Sequence, residues 1–207
     1  MIISFEGLDG SGKSTQIEFL VNNLTQRGYH VGVVKEPGGS FLGEKIRELV
    51  TTEKNLDPWA EAYLFMASRA QCVNDLIKVA YKDKDVILCD RYIDSSVVYQ
   101  GIARGLGIEN IWNLSKPSLA GCYPDTTIYI RVPYEVCLAR IKQRGEADRI
   151  ENMGEAFFKK LQEGYDAISE KDPERWITID GNKKPEAVAE NVALALMRRY
   201  TSMYLRL

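Results

Sequence analysis

Residues 7–14 read GLDGSGKS, set between the apolar run IISFE at 2–6 and a stretch in which Ile17, Leu20, Val21 and Leu24 recur at helical spacing. No other feature narrows the possible folds as far. A G-x-x-x-x-G-K-S loop joining a short strand to a helix turns several backbone N–H groups and a helix start toward one point. Gly7, Gly10 and Gly12 supply conformations that other residues resist. The helix start adds partial positive charge. Lys13 is placed to reach the β- and γ-phosphates of a nucleoside triphosphate, and Ser14 to offer a hydroxyl to Mg²⁺. The loop as a whole, Gly7, Leu8, Asp9, Gly10, Ser11, Gly12, Lys13, Ser14 and Thr15, is expected to hold a nucleoside triphosphate.

The remaining chain keeps alternating. HVGVVKE (30–36) reads as a second strand stopped by Pro-Gly-Gly, and GEKIRELVTT (43–52) as a short helix. A long helix is predicted over 57–82, with Asp57 as N-cap and Pro58 in its first turn. VILCD (86–90), the β-branched TTIYIRV (126–132) and WITID (176–180) complete the strands. Helices are expected over 133–145, 154–171 and 184–200, and nothing regular is assigned to 93–119. Alternating strands and helices imply right-handed crossovers. The fold class is therefore α/β, a mostly parallel sheet of five strands covered on both faces by helices. With 207 residues, 45% of them hydrophobic, the chain suits a single domain over 1–207. The tail SMYLRL has no clear reading; a packed end is expected ahead of a partner contact.

Composition excludes several classes. A net charge of -2 gives no global field favouring nucleic acid or an anionic membrane, so neither is expected as a partner. No apolar run is long enough to cross a bilayer, and the N-terminus lacks the pattern of a signal peptide. Cys72, Cys89, Cys122 and Cys137 are widely spaced and read as buried reduced thiols, while His30, the only histidine, argues against zinc. The cytoplasm fits these features.

In doubly wound sheets ligands gather at the carboxyl ends of the strands. Asp90 ends the third strand on the rim that carries the glycine-rich loop, where an acid can hold Mg²⁺ directly or through water. Ser14 and Asp90 are the expected metal residues. Arg91 then lies near a second phosphate. No N-K-x-D guanine motif occurs, since NKKP at 182–185 lacks the acid. A small chain with a mobile basic segment looks more like a phosphoryl transferase than a GTPase or a motor.

The sequence resembles the thymidylate kinase family along nearly its whole length. FEGLDGSGKST, KEPGG, LFMASRAQ, DRYIDSSVVYQG, PDTTIYIRV and RGEADRIE occur in the family's order. The resemblance implies a three-layer α/β/α P-loop kinase fold, a five-stranded parallel sheet flanked by helices with a small mobile lid. It also implies ATP as donor, dTMP as acceptor, Mg²⁺ as cofactor and a homodimer packed through helices. Its surface would come from the long helix and the segment after Tyr92. Residue by residue, it implies that Phe65 stacks on thymine and Arg69, four positions on, donates to a base carbonyl. Ser96 and Gln100 would reach the polar edge of the base, and Tyr99 would crowd the 2′ position of the sugar. Arg91 would grip the acceptor phosphate beside a wall of Glu36, Pro37, Gly38 and Gly39. Asp9, an acid that would repel a triphosphate unless it held Mg²⁺, a hydroxyl or a cation, would meet the acceptor sugar or the water around the metal; its other reading is a surface charge, and without the family Phe65 reads as plain core.

Some members carry an arginine within the loop where this chain has Gly10, so positive charge must arrive from elsewhere. The lid, about residues 140–152, offers Arg140, Arg144 and Arg149. With Lys13, Arg91 and Asp9 these form the expected catalytic set. Lys35 departs from the arginine usual before Glu-Pro-Gly-Gly, and a lysine cannot make a bidentate contact with phosphate. The adenine is expected between the lid and the turn at 180–184. Another pyrimidine nucleoside monophosphate kinase, or a P-loop module without turnover, remains an alternative.

Overall fold

The computed structural model describes residues 1–78, 86–145 and 147–200. Five strands, β1 (Ile2–Glu6), β2 (Val31–Lys35), β3 (Val86–Asp90), β4 (Thr126–Arg131) and β5 (Trp176–Asp180), form one sheet in the order β2-β3-β1-β4-β5. Every pairing is parallel. The inner strands β1 and β3 are buried at every residue, as strands covered on both faces must be. Side-chain alternation divides the core in two. Val86 and Leu88 join one apolar cluster, with Leu20 and Leu24; Ile87 and Cys89 join the other, with Ala62 and Ile111.

The helices are α1 (Lys13–Gln26), α2 (Phe41–Thr52), α3 (Pro58–Cys72), α4 (Ile93–Ser96), α5 (Ile108–Leu119), α6 (Tyr134–Arg144), α7 (Glu155–Lys171) and α8 (Pro185–Tyr200). Asp57 caps α3 as expected, its carboxylate accepting from the N–H groups of Trp59 and Ala60 at 2.9 and 3.1 Å. Ser40 caps α2 through the N–H of Gly43. Beyond Cys72 the long helix widens into a π-turn over Val73–Ile77; the last residues of the expected 57–82 helix, and the tail, lie outside the described residues.

The reading of 93–119 needs correction, because α4, a π-helical segment over Val97–Ala103 and α5 occupy it. For α4 and the start of the π-helical segment the signal is weak for a physical reason. Residues 92–101 are buried on all sides, so apolar and polar positions do not segregate into a stripe. The same burial removes the segment after Tyr92 from any outer surface: Ile93, Val97 and Val98 belong to the core.

The register explains where ligands can gather. Phe5 of β1 and Lys35 of β2 both pair with Asp90, so three strands finish level on one rim. From β1 the chain crosses beyond β3 to form β2, and from β3 it crosses over β1 to β4. The crevice between β1 and β3 is the topological switch point, and the glycine-rich loop and Arg91 open directly onto it.

Candidate functional site

A cleft of about 950 Å³ runs along this rim. At one end lies the loop after β1. Gly7, Gly10 and Gly12 have φ of 140°, 81° and 94°. A Cβ at Gly7 would stand 2.7 Å from the carbonyl oxygen of Ile130, and one at Gly10 2.7 Å from that of Cys137. At Gly12 nothing lies within 4 Å, so this position faces open space where a ligand can approach the backbone. No side chain caps α1 at Gly12, which keeps its first N–H groups from a side-chain partner. Lys13, 6% exposed, folds back and donates to the carbonyls of Gly7 and Leu8 at 3.1 and 2.8 Å. Burial lowers the pKa of its ammonium, and Arg91 adds to that, against the attraction of Asp9 and Asp90. An anionic phosphate entering here meets a desolvated cation.

Ser14 donates to a carboxylate oxygen of Asp90 at 2.7 Å. No cluster of three or more metal-ligating side chains occurs among the described residues. Two hard oxygen donors fit Mg²⁺, which keeps several waters and takes phosphate oxygens as ligands. They fit a dedicated transition-metal centre poorly.

Arg91 joins the two ends of the cleft. Its backbone has φ 69°, a conformation uncommon outside glycine, and such residues concentrate at functional sites. One terminal nitrogen donates to Gly7 O and Ser95 Oγ, both at 3.0 Å, and to Tyr165 Oη at 3.2 Å. The other donates to Asp9 at 2.6 Å. The guanidinium also lies over the ring of Tyr99, 5.0 Å from its centroid. Tyr99 donates its hydroxyl to the second oxygen of Asp9 at 3.1 Å. Burial alone would raise the pKa of Asp9; Arg91 and Lys13 outweigh it and hold the carboxyl well below the usual carboxylate range. Asp9 is thus the counter-charge of Arg91 and no free surface acid.

The far end is built from α3, α4 and the π-segment. Phe65 is half-buried, belongs to neither apolar cluster and lines the cleft, so it is not plain core. Arg69, Ser96, Tyr99 and Gln100 line the same space. Arg69 is 1% exposed and already engaged: it donates to Glu36 at 2.8 Å, to Ser96 Oγ at 2.9 Å and to Tyr92 O at 3.2 Å. Burial pushes the Glu36 carboxyl up to about 7 while Arg69 pulls it down. Pro37 and Lys35 also line the cleft. Gly38 and Gly39 do not reach it and instead hold the turn, their N–H groups donating to Ser68 and Glu44.

The basic segment divides. Arg140 donates to Gly10 O at 3.1 Å. This contact and the steric limit at Gly10 have one cause: α6 packs its backbone against that glycine, and Arg140 arrives where the loop carries no side chain. Arg144 lines the cleft, with its guanidinium on Glu151 at 2.6 and 2.7 Å. Arg149 is not brought to the loop, contrary to expectation. It donates to Val50 O at 2.9 Å and to Glu61 at 2.5 Å, and so ties the segment to α2 and α3. The buried carboxylate of Glu61 draws it there. The turn at 180–184 does not line the cleft either.

Several residues escaped the sequence reading. Glu61 precedes Phe65 and Arg69 by one and two helical turns, so the spacing that paired those two contained it. Glu6, fully buried at the end of β1, accepts from Ser4, Ser95, Tyr165 and the N–H of Tyr92. Tyr165 comes from α7, distant in sequence, and carried no signal. The cysteines are free thiols; burial raises Cys72 to about 12 and Cys137 to about 11.

A glycine-rich phosphate cradle on a parallel sheet, joined through a strained arginine to a second polar pocket, defines the class of P-loop nucleotide kinases. The comparisons narrow this. The family model described as Thymidylate kinase matches residues 5–192. A thymidylate kinase of Kosmotoga olearia is 43% identical over 193 residues, covering 93% of each chain. One of Caldanaerobacter subterraneus subsp. tengcongensis is 43% identical over 195 residues, covering 94% of this chain and 93% of its own. The crystal structure of thymidylate kinase from Ehrlichia chaffeensis superposes with a TM-score of 0.79 at 30% identity, covering 95% of this chain and 98% of the other. The chain belongs to the thymidylate kinase family, whose members are phosphotransferases.

Proposed function

We propose that the protein transfers the γ-phosphoryl group of ATP to dTMP, giving ADP and dTDP, within a single domain over 1–207. The observation that carries this reading is the continuity of one cleft from Lys13 and Ser14, past Arg91, to Phe65, Arg69 and Gln100. Two nucleotides laid along it bring their phosphates together at Arg91. An oxygen of the dTMP phosphate attacks the γ-phosphorus in line, and the bond to the β,γ-bridging oxygen breaks as ADP leaves. The acceptor phosphate is largely ionised near neutral pH, so no strong base is needed, and positioning with charge stabilisation supplies the rate.

Lys13 and the first N–H groups of α1 hold the donor phosphates, Arg140 and Arg144 add charge over them, and Arg91 orients the acceptor phosphate. Ser14 and Asp90 would hold Mg²⁺, which when bound neutralises charge on the phosphates. Phe65 offers a stacking face, and Ser96, Arg69 and Gln100 read the polar edge of the base. Tyr99, fixed by Asp9, closes on the sugar. Arg149 acts as a latch for the lid (140–152), whose closure excludes water and suppresses ATP hydrolysis.

The reading includes a homodimer in the cytoplasm. Phe41 is 85% exposed, and Leu49, Trp59 and Tyr63 are also exposed on α2 and α3, apolar side chains that suit contact with a second copy. No described helix is long and apolar enough to cross a membrane.

An ADP-release assay across dTMP, dUMP, UMP, CMP, GMP and AMP tests the substrate assignment. dTMP is expected to give the highest kcat/KM, with dUMP a weaker substrate. A clear preference for any other acceptor replaces the reading with a different monophosphate kinase, and no turnover on any of them leaves a binding module.

A further inference from the structure

We infer that Glu61 is a positioning residue that fixes which end of the Gln100 amide faces the acceptor base, and so selects a base presenting an N–H there. The inference rests on the acceptor pocket proposed above. Glu61 lies on α3 and is 1% exposed. Its carboxylate accepts from Gln100 Nε2 at 3.0 Å, from Arg104 at 3.2 and 2.8 Å, and from Arg149 at 2.5 Å. Burial would favour the protonated acid, but the bonds from Arg149, Arg104 and Gln100 outweigh it and keep the group ionised at neutral pH. An ionised carboxylate only accepts hydrogen bonds.

A glutamine amide beside such a group has one permitted orientation. Its NH₂ must face Glu61, because rotation by half a turn would set carbonyl oxygen against carboxylate oxygen. Gln100 Oε1 is then the end left over, and it is buried with no partner in the protein. Arg69, which carries donors only, lines the same cleft. With Ser96 Oγ accepting from Arg69, Gln100 offers an acceptor and Arg69 a donor to a flat ring. A 2,4-dioxopyrimidine matches both, through its N3–H and its 4-carbonyl. A 4-aminopyrimidine reverses both, since its N3 accepts and its amino group donates. Glu61 does not line the cleft; it acts through Gln100.

The test compares kcat/KM for dTMP and dCMP in the wild type, Glu61→Gln and Glu61→Asp. In E61Q the new carbonyl is taken by the arginines and the new NH₂ turns to Gln100, whose amide rotates. The ratio of dTMP to dCMP efficiency is expected to fall by about tenfold to a hundredfold, the scale of one buried polar group left unpaired. E61D remains an acceptor and is expected to keep the wild-type ratio within about threefold even if both rates drop. Equal losses on both nucleotides in E61Q, or a collapsed ratio in E61D, overturn the inference and leave Glu61 as an anchor for the lid.

Should E61Q fail to fold, the wild-type protein supplies the readout. The ¹⁵N-labelled side-chain amide of Gln100, identified by its loss in Gln100→Met, should exchange slowly with solvent both without and with dTMP. Fast exchange that slows only with dTMP would mean that the NH₂ faces the base, which also overturns the inference. A wild type that does not prefer dTMP in the acceptor assay defeats the proposed function instead, and that outcome is visible before any variant is made.

Discussion

The two ends of the cleft are built by opposite means. The donor end is a run of consecutive residues, 7–15, and its shape comes from backbone: three glycines with positive φ, two of them pressed against the carbonyl oxygens of Ile130 and Cys137. The acceptor end is assembled from side chains of α3, α4, the π-segment and the turn after β2, held by Arg69 on Glu36 and by Arg104 and Arg149 on Glu61. A backbone cradle suits a ligand group that every nucleoside triphosphate shares. A network of buried, paired side chains suits discrimination, because a wrong ligand leaves polar groups unpaired.

Arg91 is where the comparison is easiest to break, since it bonds both to Gly7 of the loop and to Asp9, Ser95 and Tyr165. If the two ends are separable in energy, Arg91→Ala should lower kcat/KM for dTMP by about 10²–10³, the usual loss for a positioned cation. ATP affinity, measured by calorimetry without acceptor, should change less than about threefold. Parallel loss of both would mean that the arginine organises the loop, and that the two ends form one unit.

The glycines sharpen the contrast on the donor side. Gly10→Ala places a Cβ 2.7 Å from the Cys137 carbonyl at φ 81°, whereas Gly12→Ala, at φ 94°, meets no atom within 4 Å. Both carry backbone strain of about 1–2 kcal/mol, and only the first adds a clash with backbone. Unfolding without nucleotide should show a cost of about 2–4 kcal/mol for G10A and about 1–2 kcal/mol for G12A. ATP affinity should reverse that order of selectivity: G12A puts a methyl group where the phosphates approach, so it should lose binding out of proportion to its stability. Equal stability costs would show that α6 does not constrain Gly10.

This contrast also decides what could be read from the chain itself. The donor loop was legible because its chemistry needs residue types at fixed local spacing. The alternation of β1, β2, β3, β4 and β5 with helices was legible because parallel strands, buried at the centre of the sheet and half-covered at its edges, are short runs rich in β-branched residues bounded by turns. Phe65 and Arg69 were reached through resemblance, since an aromatic on a helix reads as core until the structure leaves it outside both apolar clusters. The helical turns over 93–101 were hidden by burial on every side, whereas α5 carries a buried stripe at Ile111, Ser115 and Leu119 that helical spacing could have found. Arg149 was misplaced because a count of arginines in a lid says nothing of Glu61, 88 positions away in the chain. Tertiary ion pairing decided the destination of that side chain.

Asp9 marks the boundary between the ends, because it belongs to the loop by sequence and to the acceptor end by its bonds to Arg91 and Tyr99. Its carboxyl pKa is depressed in the folded protein, so its contribution to stability is present above the unfolded value and is lost as pH falls toward the folded one. Asp9→Asn removes that titration. At pH 7 the wild type should exceed D9N by about 1–2 kcal/mol, a modest figure for a charge-assisted bond. Its side chain is 29% exposed, so solvent screens part of the attraction. Denaturant titrations should find this margin level from pH 7 down to about 5 and narrowing as the pH drops further. A margin that stays constant to pH 3 would mean that Arg91 does not bind the ionised form in preference, and Asp9 would then return to the donor loop as a residue without a partner across the cleft.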